Sequence, residues 1–227
     1  MTSSNGSPVS DSSGKGSDLW TEPPTHARQG RQLQRYGANG ARLVAGCLPV
    51  RWCVTGVRSY ETVQVLLISS RGGKGMVFPK GGWETDETME SAACRETVEE
   101  AGVRGVLEGE ILGVFPFVSK KGSDPQSTQK NCCLAHMFVM NVLEELDDWP
   151  ESAERIRVWC SPEEAYHRLR HDWMRTVLHQ WIRRNGWELS SELPLRKPEG
   201  SGVASTDSAQ AASEQSVTHG VPLAQRA

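Results

Sequence analysis

The stretch GGWETDETMESAACRETVEEAGV, residues 81–103, constrains the fold of this chain more than any other segment. Its pattern predicts a helix over residues 88–101. At about 3.6 residues per turn, Glu96, Glu99 and Glu100 occupy positions i, i+3 and i+4, so their carboxylates share one face. Three neighbouring carboxylates repel one another, and we therefore expect a nearby cation to compensate for them.

The predicted helix also has an apolar side and recognisable ends. Thr85 or Asp86 is the expected N-cap, and Gly102 is the expected C-terminal stop. The side opposite the glutamates has the spacing of a packing stripe, made of Cys94, Val98 and Ala101. The helix is thus expected to pack on one side and to present the glutamates on the other.

Spacing alone leaves two interpretations of the glutamate face open. Charged runs are usually solvated surface. Alternatively, hard divalent cations take oxygen ligands, and Mg²⁺ is often held by carboxylates together with substrate phosphates. The preceding FPKGG segment favours the metal site, because glycines let the backbone approach a ligand and Lys80 suits a phosphate. Arg95, four residues before Glu99, is placed to pair with it.

The composition is that of a soluble globular protein with polar extensions: 227 residues, 37% hydrophobic and 23% charged, with net charge −3. The negative charge argues against an extended nucleic-acid surface. No apolar run has the length of a membrane span, and the N-terminus lacks the apolar core of a signal peptide. The six cysteines form no C-x-x-C pair, which predicts reduced thiols.

The N-terminal region bears on location in the cell. It is rich in serine, but Asp11, Asp18 and Glu22 argue against a transit peptide, which is typically poor in acidic residues. We therefore expect a cytoplasmic and/or nuclear protein, with import into an organelle left open.

The chain divides into one domain and two tails. Residues 1–30 and 190–227 are polar and aperiodic, which predicts disorder, and residues 31–189 form the predicted domain. Within it, extended and helical patterns alternate, as is typical of an α/β sandwich. The predicted strands are 42–50, 63–69, 76–78, 110–118, 132–143 and 156–160, and the predicted helices are 88–101, 162–170 and 173–184.

Gly81, Glu87 and the run RETVEEAGV at 95–103 resemble the Nudix box, G-x5-E-x7-R-E-U-x-E-E-x-G-U, where U is a bulky apolar residue. Every charged and glycine position matches. Thr97 departs from the pattern, and its hydroxyl needs a partner if it is buried. A wider resemblance, over roughly residues 30–186, is to the plant and algal diphosphoinositol polyphosphate phosphohydrolases. It is carried by QRY at 34–36, AGCLP at 45–49, the segment 73–87 and DWMR at 172–175.

The resemblance implies a Nudix-type α/β/α sandwich, with a mixed β-sheet flanked by helices, and an enzyme that hydrolyses phosphoanhydride bonds by water attack on phosphorus. The implied cofactor is Mg²⁺, with Mn²⁺ as an alternative, held by Glu96, Glu99 and Glu100. Glu100 is the favoured general base, and Glu96 is the alternative. Arg95 is expected to orient a ligating glutamate. Glu87 matches the box, and an acid at this point also suits the helix N-terminus.

The resemblance further implies a small-molecule polyphosphate substrate, most consistent with diphosphoinositol polyphosphates and/or diadenosine polyphosphates. The candidate substrate-binding residues are Gly81, Gly82, Lys80, Arg42, Lys120 and Arg157. We expect neither a membrane partner nor extended nucleic-acid binding, and the sequence predicts no particular oligomeric state.

Three alternatives are weighed against this interpretation. One keeps the chemistry but acts on ADP-ribose, another nucleoside diphosphate derivative or an mRNA cap. The second is a Nudix module that senses a pyrophosphate without cleaving it, which the complete set of glutamates argues against. The third is an unrelated α/β domain with an acidic surface helix, which requires the box to be a coincidence.

Overall fold

A mixed β-sheet forms the centre of the molecule in the computed structural model, which describes residues 26–119 and 132–188. Its strands are β1 Arg42–Trp52, β2 Val63–Ser69, β3 Met76–Val77, β4 Lys80–Gly82, β5 Val103–Leu107, β6 Gly113–Val118, β7 Cys132–Glu145 and β8 Arg157–Cys160. The helices are α1 Met89–Ala101, α2 Pro162–Arg168 and α3 Asp172–Arg184.

Strands β1 and β7 run parallel in the middle of the sheet, with Val44 opposite Ala135, and the remaining pairings are antiparallel. The main order is β3-β2-β1-β7-β5, while β4 pairs with β1, β6 with β7, and β8 with β2. The first part of β1 pairs with β4 and its last part with β2. This arrangement brings the segment just before α1 into the sheet.

Side chains of the central strands alternate between two apolar layers, as the period of two in a β-strand requires. One layer, shared with α2 and α3, includes Val44, Leu48, Ala135, Met137, Leu178 and Ile182. The other layer, shared with α1, includes Ala45, Cys47, Phe138, Met140, Ala92 and Ala93. The sheet therefore lies between α1 on one face and α2 and α3 on the other, which is the predicted α/β/α sandwich.

Both ends of α1 have clear physical causes, and one differs from the prediction. Thr88, rather than Thr85 or Asp86, is the N-cap, because its hydroxyl accepts a hydrogen bond from the Ser91 N–H at 3.1 Å. The C-terminal stop at Gly102 is confirmed. Gly102 adopts φ 61°, in the left-handed region that favours glycine, and its N–H donates to the Val98 carbonyl.

The predicted strands and helices are present with shifted ends, and two strands were missed. Strand β4 lies in the FPKGG segment, for which the sequence predicts a close approach to a ligand and no strand. It joins the sheet because β1 carries Gly46 at the point of contact, where a Cβ would lie only 2.4 Å from the Pro79 carbonyl oxygen. Strand β5 follows directly on Gly102, and its pairing with β7 shifts register between Arg104 and Gly105. Short, glycine-containing strands carry little periodic signal.

Several other expectations can be compared with the described residues. All six cysteines are free, as predicted. Among the helices of the described residues, none has the length and apolar content needed to cross a membrane. Lys120 and almost all of both predicted tails lie outside the described residues. The domain boundaries therefore stay predictions.

Candidate active site

The glutamate face of α1 is buried rather than solvated. Glu99 is 3% exposed and Glu100 is 8% exposed, and both face neighbouring elements of the protein. Buried carboxylates are costly unless they are paired or hydrogen-bonded. The interpretation of this helix as a solvated acidic surface is therefore wrong, and the partners of each carboxylate decide what the site can do.

Arg95 is the main cationic partner of this face. Its guanidinium donates to both carboxylate oxygens of Glu87, at 2.9 and 2.7 Å, and to the Gly82 carbonyl at 2.9 Å. One nitrogen, Nη1, donates to Glu96 at 3.0 Å and to Glu99 at 3.2 Å. The pairing of Arg95 with Glu99 predicted from helical spacing is confirmed.

Burial acts to lower the pKa of Arg95, because it disfavours the charged guanidinium. The hydrogen bond and charge of Glu87, together with the charges of Glu96 and Glu99, outweigh burial, so the pKa of Arg95 is raised. Glu87 holds the fork of the guanidinium, and it also accepts from the Glu84 N–H at 3.0 Å. Glu87 lies just before α1 and holds the Arg95 side chain in place. This role comes in addition to the favourable charge that an acid provides at a helix N-terminus.

Glu100 has a separate set of partners. Its Oε2 accepts from the Lys80 N–H at 2.8 Å, and its Oε1 accepts from the Arg155 guanidinium. Arg155 is itself buried and donates to Glu151 at 2.6 Å and to the Ser69 carbonyl at 2.9 Å. Glu100 is thereby fixed between the end of β2, the start of β4 and the segment before β8.

Sequence reasoning missed Arg155, Glu151 and Arg71, the last of which pairs with Glu151. The spacing of Glu151 and Arg155, i and i+4, could have signalled an ion pair. This spacing gave no indication that the pair is buried, because Glu151 and Arg155 follow an exposed polar segment after β7 and have the sequence pattern of surface residues. Only the fold brings Arg155 to Glu100, 55 positions away in the chain.

The three glutamates share an electrostatic environment that favours their neutral forms. Burial raises the pKa of Glu96 to about 8; the charge of Arg95 opposes the shift, and those of Glu100 and Glu99 add to it. Burial also raises the pKa of Glu99, against the charge of Arg95. The pKa of Glu100 is raised by burial as well, against the charges of Lys80 and Arg155. A cation at this face would reverse these shifts.

The glycines before α1 have specific packing roles. A Cβ on Gly81 would lie 1.9–2.2 Å from the Glu96 carboxylate atoms, so only glycine lets that carboxylate lie against β4. A Cβ on Gly82 would lie 2.4 Å from the Gln34 side-chain oxygen and 3.0 Å from Arg42. Gly81 and Gly82 thus make room for a carboxylate and for a polar pair. Their contact with substrate stays a prediction.

The predicted substrate-binding cations lie in different places. The Lys80 charge is close enough to Glu100 to lower its pKa, and Arg42 donates to Gln34 at 2.6 Å beside Gly82. Arg157 lies at the C-terminal end of α1, where it donates to the Gly102 carbonyl at 3.0 Å. The structure brings Lys80 and Arg42 to the glycine strand and places Arg157 at the C-terminal end of α1, and the contact of all three with substrate stays a prediction.

The segment before the sheet also reaches the site, although sequence reasoning placed it in a tail. The Arg28 N–H donates to Glu99 Oε2 at 3.2 Å. Its guanidinium pairs with Glu84 and Asp86. Asp86 is thus engaged by Arg28 and does not cap α1.

The donor set fits a hard divalent cation, although it is not assembled around one. Within 26–119 and 132–188, no three acidic, imidazole or thiol side chains converge closely enough to hold an ion as they stand. Arginines and backbone N–H groups occupy the carboxylates instead. The three carboxylates nevertheless lie on one helix face, and the charges of Glu99 and Glu100 are close enough to raise the pKa of Glu96. Carboxylate oxygens are the ligands that hard divalent cations take.

Thr97, the departure from the box pattern, is accommodated without an orphaned hydroxyl. It is fully buried, and its Oγ1 donates to the Ala93 carbonyl at 2.7 Å. This bond to the residue four positions earlier supplies the partner that burial of a threonine requires.

Comparison with known proteins agrees with this site. The family model for the NUDIX domain matches residues 50–181. The chain is 49% identical to Nudix hydrolase 16, mitochondrial, of Arabidopsis thaliana, over 67% of this chain and 85% of that protein. It is 36% identical to diphosphoinositol polyphosphate phosphohydrolase 3-alpha of Mus musculus, over 59% of this chain and 73% of that protein. A NUDIX hydrolase structure from Nitrosomonas europaea shares the fold, with TM-score 0.50 and 15% identity over 66% of this chain and 93% of that chain.

The expectation of a cytoplasmic or nuclear location is contradicted by the names of the relatives. Besides the mitochondrial relative, Nudix hydrolase 21, chloroplastic, of Arabidopsis thaliana is 45% identical over 70% of this chain and 75% of that protein. The expectation rested on three acidic side chains near the N-terminus, which is too small a charge difference to decide import.

The buried glutamate face, its arginine partners, the mixed sheet and the close relatives lead to one conclusion. The chain belongs to the Nudix hydrolase family and is a phosphohydrolase that acts on pyrophosphate bonds.

Proposed function

We propose that this Nudix hydrolase cleaves phosphoanhydride bonds in diphosphoinositol polyphosphates and/or diadenosine polyphosphates, with Mg²⁺ as cofactor and Mn²⁺ as an alternative. The observation that carries the proposal is the set of three glutamates on one face of α1, with Glu99 and Glu100 buried and Glu96 largely so, flanked by cationic groups. The similarity to the mouse diphosphoinositol polyphosphate phosphohydrolase supports the inositol class. Because fold does not settle substrate, the choice between the two classes rests on groups around the site.

Glu96, Glu99 and Glu100 would hold the cation, which when bound supplies charge neutralisation for the phosphates and lowers the pKa of water. Arg95 keeps the Glu96 and Glu99 carboxylates oriented through its bonds to both. Its own position is held by Glu87 and the Gly82 carbonyl. A carboxylate whose rotamer is fixed in this way is ready to ligate without reorganising.

Glu100 is the proposed general base, with Glu96 as the alternative. Its carboxylate is fixed by the Lys80 N–H and the Arg155 guanidinium, and burial raises its pKa, which makes the ionised carboxylate a stronger proton acceptor. The attacking water gives its proton to a Glu100 oxygen as its own oxygen bonds to phosphorus. The P–O bond to the departing phosphate breaks, and that phosphate leaves with the electron pair.

Positive groups around Glu100 favour a highly phosphorylated substrate. Lys80 lies beside it, and Arg71, in the turn after β2, is close enough to feel the Glu100 charge while it pairs with Glu151. In the same turn, the Ser70 hydroxyl is buried and has no hydrogen-bond partner among the described groups. A phosphate oxygen is a partner that this hydroxyl and these cations would share.

The test is phosphate release by the full chain with Mg²⁺, using a diphosphoinositol polyphosphate, a diadenosine polyphosphate and ADP-ribose. Removing the base with Glu100→Gln should lower kcat by about 10²- to 10⁴-fold while the protein stays folded. Glu90→Gln, on the exposed face of the same helix, is the matched control and should keep full activity.

The assay separates the proposal from its alternatives. Release from ADP-ribose alone would keep the Nudix chemistry and discard both proposed substrate classes. Tight binding of a substrate without release, by the unmutated chain, would indicate a sensor. If Glu100→Gln and Glu90→Gln lowered kcat equally, the buried glutamates would have no special role in catalysis.

We also infer that the protein acts in an organelle, on the basis of the mitochondrial and chloroplastic names of its relatives. Imaging of the full chain with a C-terminal fluorescent fusion tests this. Signal spread through cytoplasm and nucleus would contradict it.

A further inference from the structure

Two aromatic rings stack at the meeting point of β6 and α3. Phe117, near the end of β6, and Trp173, in the first turn of α3, lie with ring centroids 4.8 Å apart and planes 13° from parallel. Every other aromatic pair in the described residues meets edge to face. Both rings are only partly buried and lie at the border of the main apolar layer.

The strand register places this stack in line with a predicted substrate-binding cation. Phe117 pairs with Cys133 of β7, and Cys133 pairs with Arg42 of β1. Directly paired residues project from the same face of a sheet, so the three side chains share one face. Two strand spacings separate Phe117 from Arg42, a distance of about 10 Å.

Further positive charge lies near Cys133. Burial raises the pKa of its thiol, whereas the charges of Arg42, Lys80 and Arg31 act to lower it. The Lys80 N–H also donates to Glu100. Helix α1 packs on the other face of the sheet, and Lys80 links its glutamates to the face that carries Arg42 and the aromatic stack.

From this juxtaposition we infer that Phe117 and Trp173 form a platform for the nucleobase of a nucleoside polyphosphate substrate. The inference rests on the proposed function and deepens it, because it favours the diadenosine polyphosphate class over the inositol class. The cations hold the phosphate chain, the ribose crosses the interval, and the base stacks on the aromatic pair.

The chemistry of the two substrate classes makes the platform selective. Every nucleobase has a flat π-face, and stacking on an aromatic side chain is its sequence-tolerant mode of recognition. A diphosphoinositol polyphosphate has a saturated ring carrying anionic groups, which offers no such face. Cationic side chains serve both classes equally, so the aromatic pair is the feature that separates them.

The first test compares steady-state kinetics on diadenosine tetraphosphate and on a diphosphoinositol polyphosphate, with Mg²⁺. Trp173→Ala should raise KM for the dinucleotide by about 5- to 150-fold, the range that one base–aromatic stack is worth, and leave KM for the inositol substrate unchanged. Trp173→Phe keeps an aromatic face and should restore most of the dinucleotide KM. Trp159 is another partly buried tryptophan that packs against the same core. Trp159→Ala is therefore the matched control, and it should not change KM for one substrate more than for the other.

The second test measures binding rather than turnover, so that it remains informative if the proposed function fails. Calorimetric titration in EDTA compares adenosine triphosphate with inorganic tripolyphosphate on the unmutated chain and on Trp173→Ala. We expect the unmutated chain to prefer adenosine triphosphate, and Trp173→Ala to bind both alike. Thermal melting of each variant verifies that it is folded.

Each outcome decides the inference. Equal KM increases for both substrates in Trp173→Ala, or no change for the dinucleotide, would overturn the platform. So would equal binding of adenosine triphosphate and tripolyphosphate by the unmutated chain. If the unmutated chain hydrolyses neither substrate but prefers adenosine triphosphate through Trp173, the proposed function fails and the platform stands.

Discussion

Helices α1 and α3 both contain 13 residues, yet they bury opposite kinds of side chain. Helix α3 buries Met174, Val177, Leu178, Trp181 and Ile182, a continuous apolar stripe. Helix α1 buries small residues together with Glu99 and Glu100. Helix α3 therefore contributes mainly to the stability of the fold, and helix α1 carries the groups for chemistry.

The difference shows where each helix obtains its stability. Apolar burial stabilises α3 through the sheet it covers, independently of pH or ligand. Burial of carboxylates costs free energy in α1, and arginines offset that cost from two places: Arg95 within the helix and Arg155 far along the chain. Helix α1 should consequently respond to metal and to changes of charge at its glutamates, whereas the apolar stripe of α3 contributes no such response.

The largest expected effect is on the packing helix. Trp181→Ala should lower the free energy of unfolding by about 3–5 kcal/mol, because the side chain is fully buried and leaves a cavity. Activity per folded molecule should be retained, since Trp181 packs in the apolar layer that α3 shares with the sheet, on the face away from α1. Urea unfolding and an activity assay measure the two quantities.

Arg183→Ala, on the exposed face of the same helix, provides the comparison and should change stability by less than about 0.5 kcal/mol. A loss of specific activity in Trp181→Ala at full folding would show that the two helices are not separable in this way.

A smaller effect is expected where α1 depends on Arg95. Arg95→Lys keeps the charge but removes the fork that holds Glu87, Glu96 and Glu99 together. We expect Mn²⁺ affinity to fall by about 10- to 100-fold, measured by calorimetry, with the fold retained. Arg183→Lys on α3 is the matched exchange and should leave Mn²⁺ affinity unaltered. If Arg95→Lys bound Mn²⁺ with unchanged affinity, Arg95 would not be needed to orient the ligating glutamates.

The smallest expected effect is a pH dependence of stability that arises at Glu96 on α1. Burial raises the pKa of Glu96 from 4.5 to about 8, so folding favours its protonated form. Its contribution to stability is complete below the unfolded value and is lost as pH rises through the folded value. In EDTA, the melting temperature of the unmutated chain relative to Glu96→Gln should therefore fall between about pH 5 and about pH 9.

Excess Mg²⁺ gives the internal control for this pH series. A bound cation favours the ionised carboxylate, so the stabilisation by Mg²⁺ should grow over the same interval. A melting difference that stays flat with pH in EDTA, or rises, would contradict the sign of the Glu96 shift. No comparable trend is expected for Trp181→Ala.

Local rules predicted much of the framework. Period and turn residues located β1, β2, β7, α1 and α3, and the C-terminal stop of α1 at Gly102 is confirmed. They failed for β4, which is a strand only because Gly46 of β1 lets the Pro79 carbonyl approach. They also misplaced the N-cap of α1, which is Thr88 because its hydroxyl accepts from the Ser91 N–H, while Asp86 pairs with Arg28.

The sequence by itself determined that Glu96, Glu99 and Glu100 share one face, and it identified the family, because both depend on spacing along a regular helix. The tertiary structure decided that this face is buried and that Arg155 meets Glu100. It alone brought Phe117 into line with Arg42 across β7. Helical period is a property of the local backbone, whereas burial and distant partners depend on how separate elements pack together.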